Sequence, residues 1–197
     1  MNIQSTIIST AYLPPIEFFQ SLYKYEYIYM EHKEHYKRHS LRNRAYIIGS
    51  NKTLLLTVPV VSRSSSKTLI EDIRIATNNW KKKHIHTIQS CYGSSPFFIH
   101  YFEDIKNIIN KNHVLLIDLN YDLINYILVA LSINIEIKKT KSYIHNYPID
   151  HVDQRDNIKV NMDIEEYHPF GYNDSIKNLS IIDLLFNLGP NAKKHIS

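Results

Sequence analysis

The amino-acid sequence predicts a single α/β domain with a mostly parallel sheet, flanking helices and a β-hairpin elaboration. Residues 6–10 are β-branched and residues 25–30 alternate, as strands do, and apolar residues repeat at helical spacing between them. Strands and helices go on alternating along the chain, which is typical of parallel sheets. The 197 residues suit one domain, residues 1–197. The alternative is an α+β sandwich with an antiparallel sheet.

The elements of the first half follow from proline, glycine and apolar spacing. Pro14 and Pro15 end the first strand, and Pro15 can stand at the first position of a helix. Residues 45–48 and 53–58 flank the turn residues 49–52, which predicts a hairpin. Residues 62–67 are polar and predict a surface loop, and residues 70–76 are a candidate strand.

The second half is predicted to be mainly helical. Apolar spacing predicts helices at residues 80–92, at residues 96–110 and from Asn120 or Asp122 to Ser132, with a short strand at residues 135–137. Residues 141–178 are polar and predicted to be irregular. A last helix begins at Ser180 and ends at Leu188, before Gly189 and Pro190.

Composition excludes several classes of protein. Lys plus Arg is 23 and Asp plus Glu is 19, and a net charge of +4 is small for a surface that tracks nucleic acid. Only four glycines are present, far apart, so neither phosphate-binding glycine loop can occur. Cys91 is the single cysteine, which excludes an intrachain disulfide and fits a reducing compartment. Without a basic and apolar leader or an uninterrupted apolar span, we expect a cytoplasmic protein with no membrane span.

The candidate ligand-binding residues lie in the charged segment 31–44. Arg42 and Arg44 share one face if the chain is extended, which predicts a paired guanidinium clamp for phosphate or carboxylate. Lys37 and Arg38 lie close by. The alternative is two solvated arginines at the mouth of the hairpin.

Histidines are the candidates for proton transfer. His35 is a candidate general acid or base because imidazole titrates near neutral pH. His84 lies on the apolar side of its helix, either as a hydrogen-bonded core residue or as a pocket-lining one. His32, His35 and His39 would share a helix face, but no carboxylate-rich partner set is evident and no metal is predicted.

Three further polar or reactive residues carry two interpretations each. Asp183 has the spacing of a capping box with Ser180, so it caps a helix or contacts substrate. Arg155 lies between two aspartates, so it is ion-paired in a loop or contacts substrate. Cys91 lies on an apolar helix face and is interpreted as a core residue rather than a nucleophile.

Several segments, in order, resemble the WbqC-like family of bacterial proteins. They are residues 12–19, residues 36–44, Leu56-Thr57-Val58-Pro59-Val60, Trp80-Lys81-Lys82-Lys83-His84, Tyr92 with Ser95-Pro96-Phe97-Phe98, and residues 179–187 with Gly189-Pro190. The resemblance covers nearly the whole chain. It implies a role in surface-polysaccharide biosynthesis, especially of O-antigen, and a transferase that moves an acyl or aminoacyl group to an activated amino sugar. The alternatives are a nucleic-acid-binding module and a non-catalytic assembly protein.

The expected ligand is a phosphorylated or carboxylated small molecule such as a nucleotide-linked sugar, and the cofactor is left open. His35 and His84 are the predicted catalytic residues. The predicted substrate-binding residues are Tyr12, Lys37, Arg38, Arg42, Asn43, Arg44, Lys83, Arg155 and Asp183. Because ligands of α/β sheets collect at strand carboxyl ends, residues 12–14 and 31–44 should meet. We expect Tyr12, Arg42, Arg44 and His84 to border one concavity there.

Overall fold

A computed structural model describes residues 5–23, 25–49, 52–61, 67–147, 151–155, 168–169 and 176–197. Its strands are β1 (Ser5–Ser9), β2 (Tyr27–Glu31), β3 (Arg44–Ile48), β4 (Thr53–Thr57), β5 (Glu136–Lys139) and β6 (His151–Asp153). Its α-helices are α1 (Ile16–Leu22), α2 (Trp80–Tyr92), α3 (Phe98–Asn110), α4 (Leu116–Ala130) and α5 (Ile181–Leu188). Two 3₁₀ segments, Ile70–Asp72 and Gly189–His195, complete the described elements.

Four of the strands form a parallel sheet in the order β5-β2-β1-β6. The predicted β-α-β unit is confirmed, since β1 and β2 are parallel neighbours with Ser5 opposite Tyr27 and Ser9 opposite Glu31. All five residues of β1 are buried, which is typical of a central strand covered on both faces. The α/β fold class is confirmed.

The strand β6 lies in a segment that was predicted to be irregular. It pairs with β1 along only three residues, from Ser5 opposite His151 to Ile7 opposite Asp153. So short a strand has no periodicity of its own, and its position depends on pairing with a strand about 146 residues away in sequence, as in the bond from the Thr6 hydroxyl to the Val152 carbonyl.

The predicted hairpin is present as β3 and β4, which form a separate antiparallel pair with Arg44 opposite Thr57. The Asn43 carbonyl accepts a hydrogen bond from the Val58 N–H, which extends the pairing past Arg44. The hairpin is also tied to α5, because the Ser180 N–H donates to the Tyr46 carbonyl at 2.8 Å.

The helices α2 and α5 occupy the predicted residues, whereas two other predictions are wrong in part. Helix α4 begins at Leu116 rather than at Asn120 or Asp122; Asn120 is fully buried inside the helix and its amide donates to the Arg42 carbonyl at 2.8 Å instead of capping the helix. The candidate strand at residues 70–76 is instead the 3₁₀ segment followed by isolated bridges. Among the described residues, no helix is both long enough and apolar enough to cross a membrane.

Candidate functional site

A cleft of about 460 Å³ opens at the carboxyl end of β1. Its walls come from the residues that follow β1, from the segment between β2 and β3, from β3 itself and from the residues that follow β6. The lining residues are Ile8, Ser9, Thr10, Ala11, Phe18, Lys37, His39, Ser40, Leu41, Arg42, Arg44, Tyr46, Gln154, Arg155 and Asn178. This is the sheet edge at which parallel α/β folds bind ligands, because the loops after neighbouring strands meet there.

Arg42 lines this cleft, and two of its guanidinium nitrogens are engaged in hydrogen bonds. Its Nε donates to Glu34 Oε1 at 2.8 Å, and its Nη2 donates to Glu34 Oε2 and, at 2.8 Å, to the Ser9 hydroxyl. The side chains of Arg42 and Glu34 are each only 6% exposed. The Ser9 oxygen also lies 3.1 Å from Glu34 Oε2 and 3.0 Å from the Arg155 carbonyl oxygen.

The predicted clamp of Arg42 and Arg44 stays a prediction, and the two guanidinium groups differ because Arg42 is ion-paired with Glu34. Arg44 begins β3, is half-buried and lines the cleft, and its Nε is buried without a hydrogen-bond partner among the described residues. The hydroxyl of Thr10, a residue only 1% exposed, is likewise unpartnered in the part of the chain that the structure describes. Both residues line the same cleft, but these two atoms are themselves shielded from solvent.

The other predicted residues of segment 31–44 are divided between the cleft and its surroundings. Lys37 is exposed and lines the cleft, whereas Arg38 is exposed and lies outside the lining. The Asn43 amide donates to the Val58 carbonyl at 2.9 Å, so this residue joins the hairpin strands. His35 is exposed, and its backbone bridges to Leu69.

A second buried ionic network borders the cleft at the ends of β2 and β6. Glu31 is fully buried; its Oε1 accepts from the Thr140 hydroxyl at 2.6 Å and its Oε2 from Arg155 Nη1 at 3.1 Å. Arg155 Nε donates to Asp153 Oδ1 at 2.9 Å, and its guanidinium lies 4.5 Å from the centre of the Tyr143 ring. Arg155 is therefore ion-paired, as one interpretation of the sequence had it, and it also lines the cleft, where the other interpretation would have it contact substrate.

Tyr12 and His84 form a buried pair outside the cleft. The loops of residues 12–14 and 31–44 do meet, because the Tyr12 N–H donates to the Leu41 carbonyl at 2.9 Å. The Tyr12 hydroxyl lies 2.9 Å from His84 Nδ1, and a hydrogen bond to the Thr57 backbone acts to raise the pKa of His84, against the larger effect of burial. Burial lowers the pKa of His84 to about 4, so its imidazole is neutral at pH 7.

The expectation of one concavity is wrong for these two residues. His84 lines a separate hollow with Lys83, Trp80 and Pro59, whereas Tyr12 is completely buried and is not among the residues that line the cleft. Because its ring is buried and its Nδ1 is hydrogen-bonded, His84 matches the interpretation as a hydrogen-bonded core histidine, and its predicted catalytic role has no support from its position.

A comparison with known protein families matches residues 10–167 to the WbqC-like protein family. The chain belongs to this family. The matched residues run from Thr10 past Arg155, so they include the residues after β1, the charged segment, the hairpin and β6. No curated protein and no solved structure matches the chain.

Asp183 lies beyond the residues matched to the WbqC-like family, and the structure corrects its predicted capping role. Its Oδ2 accepts a hydrogen bond from the Tyr92 hydroxyl at 2.8 Å, and the Ser180 hydroxyl donates to the Leu13 carbonyl at 2.9 Å. Neither side chain caps α5. Asp183 is only 2% exposed and does not line the cleft.

Residues that the sequence analysis missed account for much of the WbqC-like cleft. Ser9 and Thr10 are the last two residues of the predicted strand at residues 6–10, which is a usable signal, since ligands of parallel α/β sheets bind at the carboxyl ends of strands. His39 was considered only as a metal ligand, yet it is the histidine among the described lining residues.

Among the described residues, no group of three or more His, Cys, Asp or Glu is placed to hold a metal ion. Cys91 is half-buried, and burial raises the pKa of its thiol.

The neutral His84 makes folding stability depend on pH. Because the pKa of His84 is about 4 in the fold and that of an unperturbed histidine is 6.5, the unfolded chain takes up the proton first as the pH falls. Stability contributed by His84 is fully present above about pH 6.5 and is lost between about pH 6.5 and pH 4, by up to about 3 kcal/mol. Urea unfolding across this range should show a smaller pH dependence for His84→Gln than for the native protein. Equal pH dependence in the two proteins would contradict the assignment of His84 as a buried neutral imidazole.

The Arg42–Glu34 pair predicts a large loss of stability when one partner is removed. Arg42→Met leaves the Glu34 carboxylate buried without its cation, and we expect a loss of about 3–5 kcal/mol in urea unfolding. The double variant Arg42→Met with Glu34→Leu should recover much of this loss, because no buried charge remains. Arg74→Met, at an exposed arginine outside the cleft, is the control and should change stability by less than about 0.5 kcal/mol. A loss no larger than the control's would show that the pair does not anchor the fold.

Proposed function

We propose that this WbqC-like protein is a cytoplasmic transferase of surface-polysaccharide biosynthesis, particularly of O-antigen. Its proposed substrate is an anionic small molecule, such as a nucleotide-linked amino sugar, bound in the cleft at the carboxyl end of β1. The proposed reaction is transfer of an acyl or aminoacyl group to the amine of that sugar. Membership of the WbqC-like family supports the biosynthetic setting, and the cleft supports the class of substrate.

The observation that carries the proposal is the charge of the cleft lining. Lys37, Arg42, Arg44 and Arg155 line the cleft, and no aspartate or glutamate is among its described lining residues. The charge of Arg42 is compensated by Glu34 and that of Arg155 by Glu31 and Asp153, but Arg44 has no ion-pair partner among the described residues. An anionic ligand in the cleft would meet positive charge in a partly desolvated place, where electrostatic attraction is stronger than in water.

The proposed reaction needs an acceptor for one proton. The sugar amine attacks the carbonyl carbon of an activated donor such as a thioester; the C–N bond forms, the C–S bond breaks, the thiolate leaves and the amine loses a proton. Imidazole is the side chain best suited to accept that proton near neutral pH. His39 lines the cleft, whereas the predicted catalytic residues His35 and His84 do not, so His39 is the proposed base.

A direct transfer assay tests this function. The protein is incubated with coenzyme A thioesters or aminoacyl donors and with nucleotide-linked amino sugars, and the mass of the sugar product is measured. Arg44→Ala should weaken sugar binding about tenfold or more through loss of a charge-assisted hydrogen bond. Arg74→Ala, at an exposed arginine outside the cleft, is the matched control and should leave binding unchanged.

Two results would contradict the proposal. One is the absence of a product with every donor and acceptor pair at millimolar concentration. The other is tight binding of single-stranded RNA or DNA that falls steeply with added salt, which would favour a nucleic-acid-binding module. His39→Gln should reduce the rate of transfer much more than it changes sugar binding, and an undiminished rate would remove His39 from the mechanism.

A further inference from the structure

Strand β4 presents an open hydrogen-bonding edge. It pairs with β3 on one side, and among the described residues it has no neighbouring strand on the other. The far edge of β3, by contrast, is covered, because the Tyr46 carbonyl accepts from the Ser180 N–H and Tyr46 bridges to Leu179. An uncovered strand edge is a template for pairing with another chain.

The register of the hairpin shows which main-chain groups point to the open edge of β4. The Val58 N–H donates to the Asn43 carbonyl at 2.9 Å, so these two residues form a hydrogen-bonded pair. Hydrogen-bonded and non-hydrogen-bonded pairs alternate along an antiparallel ladder. The N–H and C=O groups of Thr53, Leu55 and Thr57 therefore point away from β3.

The open part of this edge is Thr53 and Leu55. The Thr57 backbone already has a hydrogen bond with His84. The outward main-chain groups of Thr53 and Leu55, in contrast, make no hydrogen bond to any other described residue. The Leu55 side chain is also 44% exposed, so both the backbone and the side chain at the centre of the edge are accessible.

The sequence of β4 carries none of the features that keep strand edges from pairing. Monomeric proteins protect such edges with charged side chains, proline or a bulge. Strand β4 reads Thr-Leu-Leu-Leu-Thr, and its register with β3 runs without interruption from Thr53 to Thr57. A partner strand would therefore meet no charge, no missing N–H and no kink along β4.

We propose that β4 is a dimerisation strand, which pairs antiparallel with β4 of a second copy of this chain about a two-fold axis at Leu55. The sequence of β4 is the same in both directions. Pairing centred on Leu55 therefore places Thr53 opposite Thr57 of the second copy, Leu54 opposite Leu56, and Leu55 opposite itself. The N–H of each Leu55 would donate to the carbonyl of the other, which completes the open edge of both copies.

The charge and side chains of β4 fit a second copy. Because the strand has no charged residue, two copies bring no like charges into contact, and a highly charged partner strand would find no opposite charge there. Facing threonines can hydrogen-bond, and facing leucines bury apolar surface.

The proposed dimer places both clefts on the same side of one sheet, with the strand order β3-β4-β4-β3. Directly opposite residues of an antiparallel pair lie on the same face, so Leu55 shares a face with Tyr46, its partner in β3. Tyr46 and Arg44 line the cleft. Since Leu55 faces Leu55 of the second copy on that same face, the two clefts open in the same direction. This inference is independent of the proposed reaction.

Sedimentation equilibrium tests the dimer. The native chain should have twice its mass of 23.2 kDa at about 100 µM and dissociate on dilution, because one short strand pair buries less surface than permanent interfaces do. Leu55→Lys brings two ammonium groups face to face at the axis and should weaken the dimer about tenfold or more. Ile99→Lys, at an apolar residue of α3 that is 76% exposed, is the matched control and should leave the dimer unchanged.

A mixing experiment tests the register. Leu55→Lys and Leu55→Glu should each be mainly monomeric at concentrations where the native chain is a dimer. An equal mixture of the two variants should dimerise, because opposite charges then face each other at the axis, and added salt should weaken that dimer. Circular dichroism melting shows whether each variant folds. Thr53→Lys, at an exposed residue of the same edge, is the second variant and should also weaken the dimer.

Three results would overturn the inference. The first is a native chain that remains monomeric at every concentration. The second is a dimer that is weakened by Ile99→Lys but neither by Leu55→Lys nor by Thr53→Lys, which would place the interface on the helices. The third is a mixture of Leu55→Lys and Leu55→Glu that stays monomeric although both variants fold, which would show that the two Leu55 residues do not face each other.

Discussion

The buried ion pair between Arg42 and Glu34 is the interaction on which the geometry of the cleft depends. Glu34 lies just after β2 and Arg42 just before β3, so the pair closes the segment that joins the parallel sheet to the hairpin. Ser9 connects this pair to the end of β1, and the Asn120 side chain of α4 donates to the Arg42 carbonyl. The ends of β1 and β2, the start of β3 and helix α4 are thereby held together at one buried ion pair.

Such a pair is a constraint on geometry more than a source of net stability. Removing two charges from water is expensive, and their attraction repays that cost only when hydrogen-bonding geometry is good and the remaining donors and acceptors are satisfied. Here the guanidinium meets both carboxylate oxygens and the Ser9 hydroxyl. A displaced loop would leave a buried charge without its partner, so alternative arrangements of this segment are strongly disfavoured.

The parts of the fold that could be predicted from sequence are those with a local signal. The β-α-β unit, the hairpin and α2 each carry their own periodicity or turn residues, and each is present at about the predicted residues. Strand β6 and the start of α4 depend on distant contacts, such as the bond from Asn120 to Arg42, and no local pattern encodes those contacts.

The same limit explains why the candidate site was predicted only in part. Arg42 and Arg44 both line the cleft, but their spacing could not show that Glu34, eight residues before Arg42, is ion-paired with Arg42. His84 was placed correctly on a buried helix face, but its hydrogen bond to Tyr12 joins residues 72 positions apart. Residue types and spacing indicate which side chains can act, and only tertiary pairing shows which of them remain available to a ligand.

The cleft thus combines two kinds of polar residue. Arg42, Glu34 and Ser9 hydrogen-bond to one another, whereas the Thr10 hydroxyl and Arg44 Nε are buried donors that no described residue uses. Side chains that are already ordered by mutual hydrogen bonds reduce the entropy lost when a ligand is bound. A buried donor without a partner costs stability, and among the described lining residues of the cleft that cost is confined to Thr10 and Arg44.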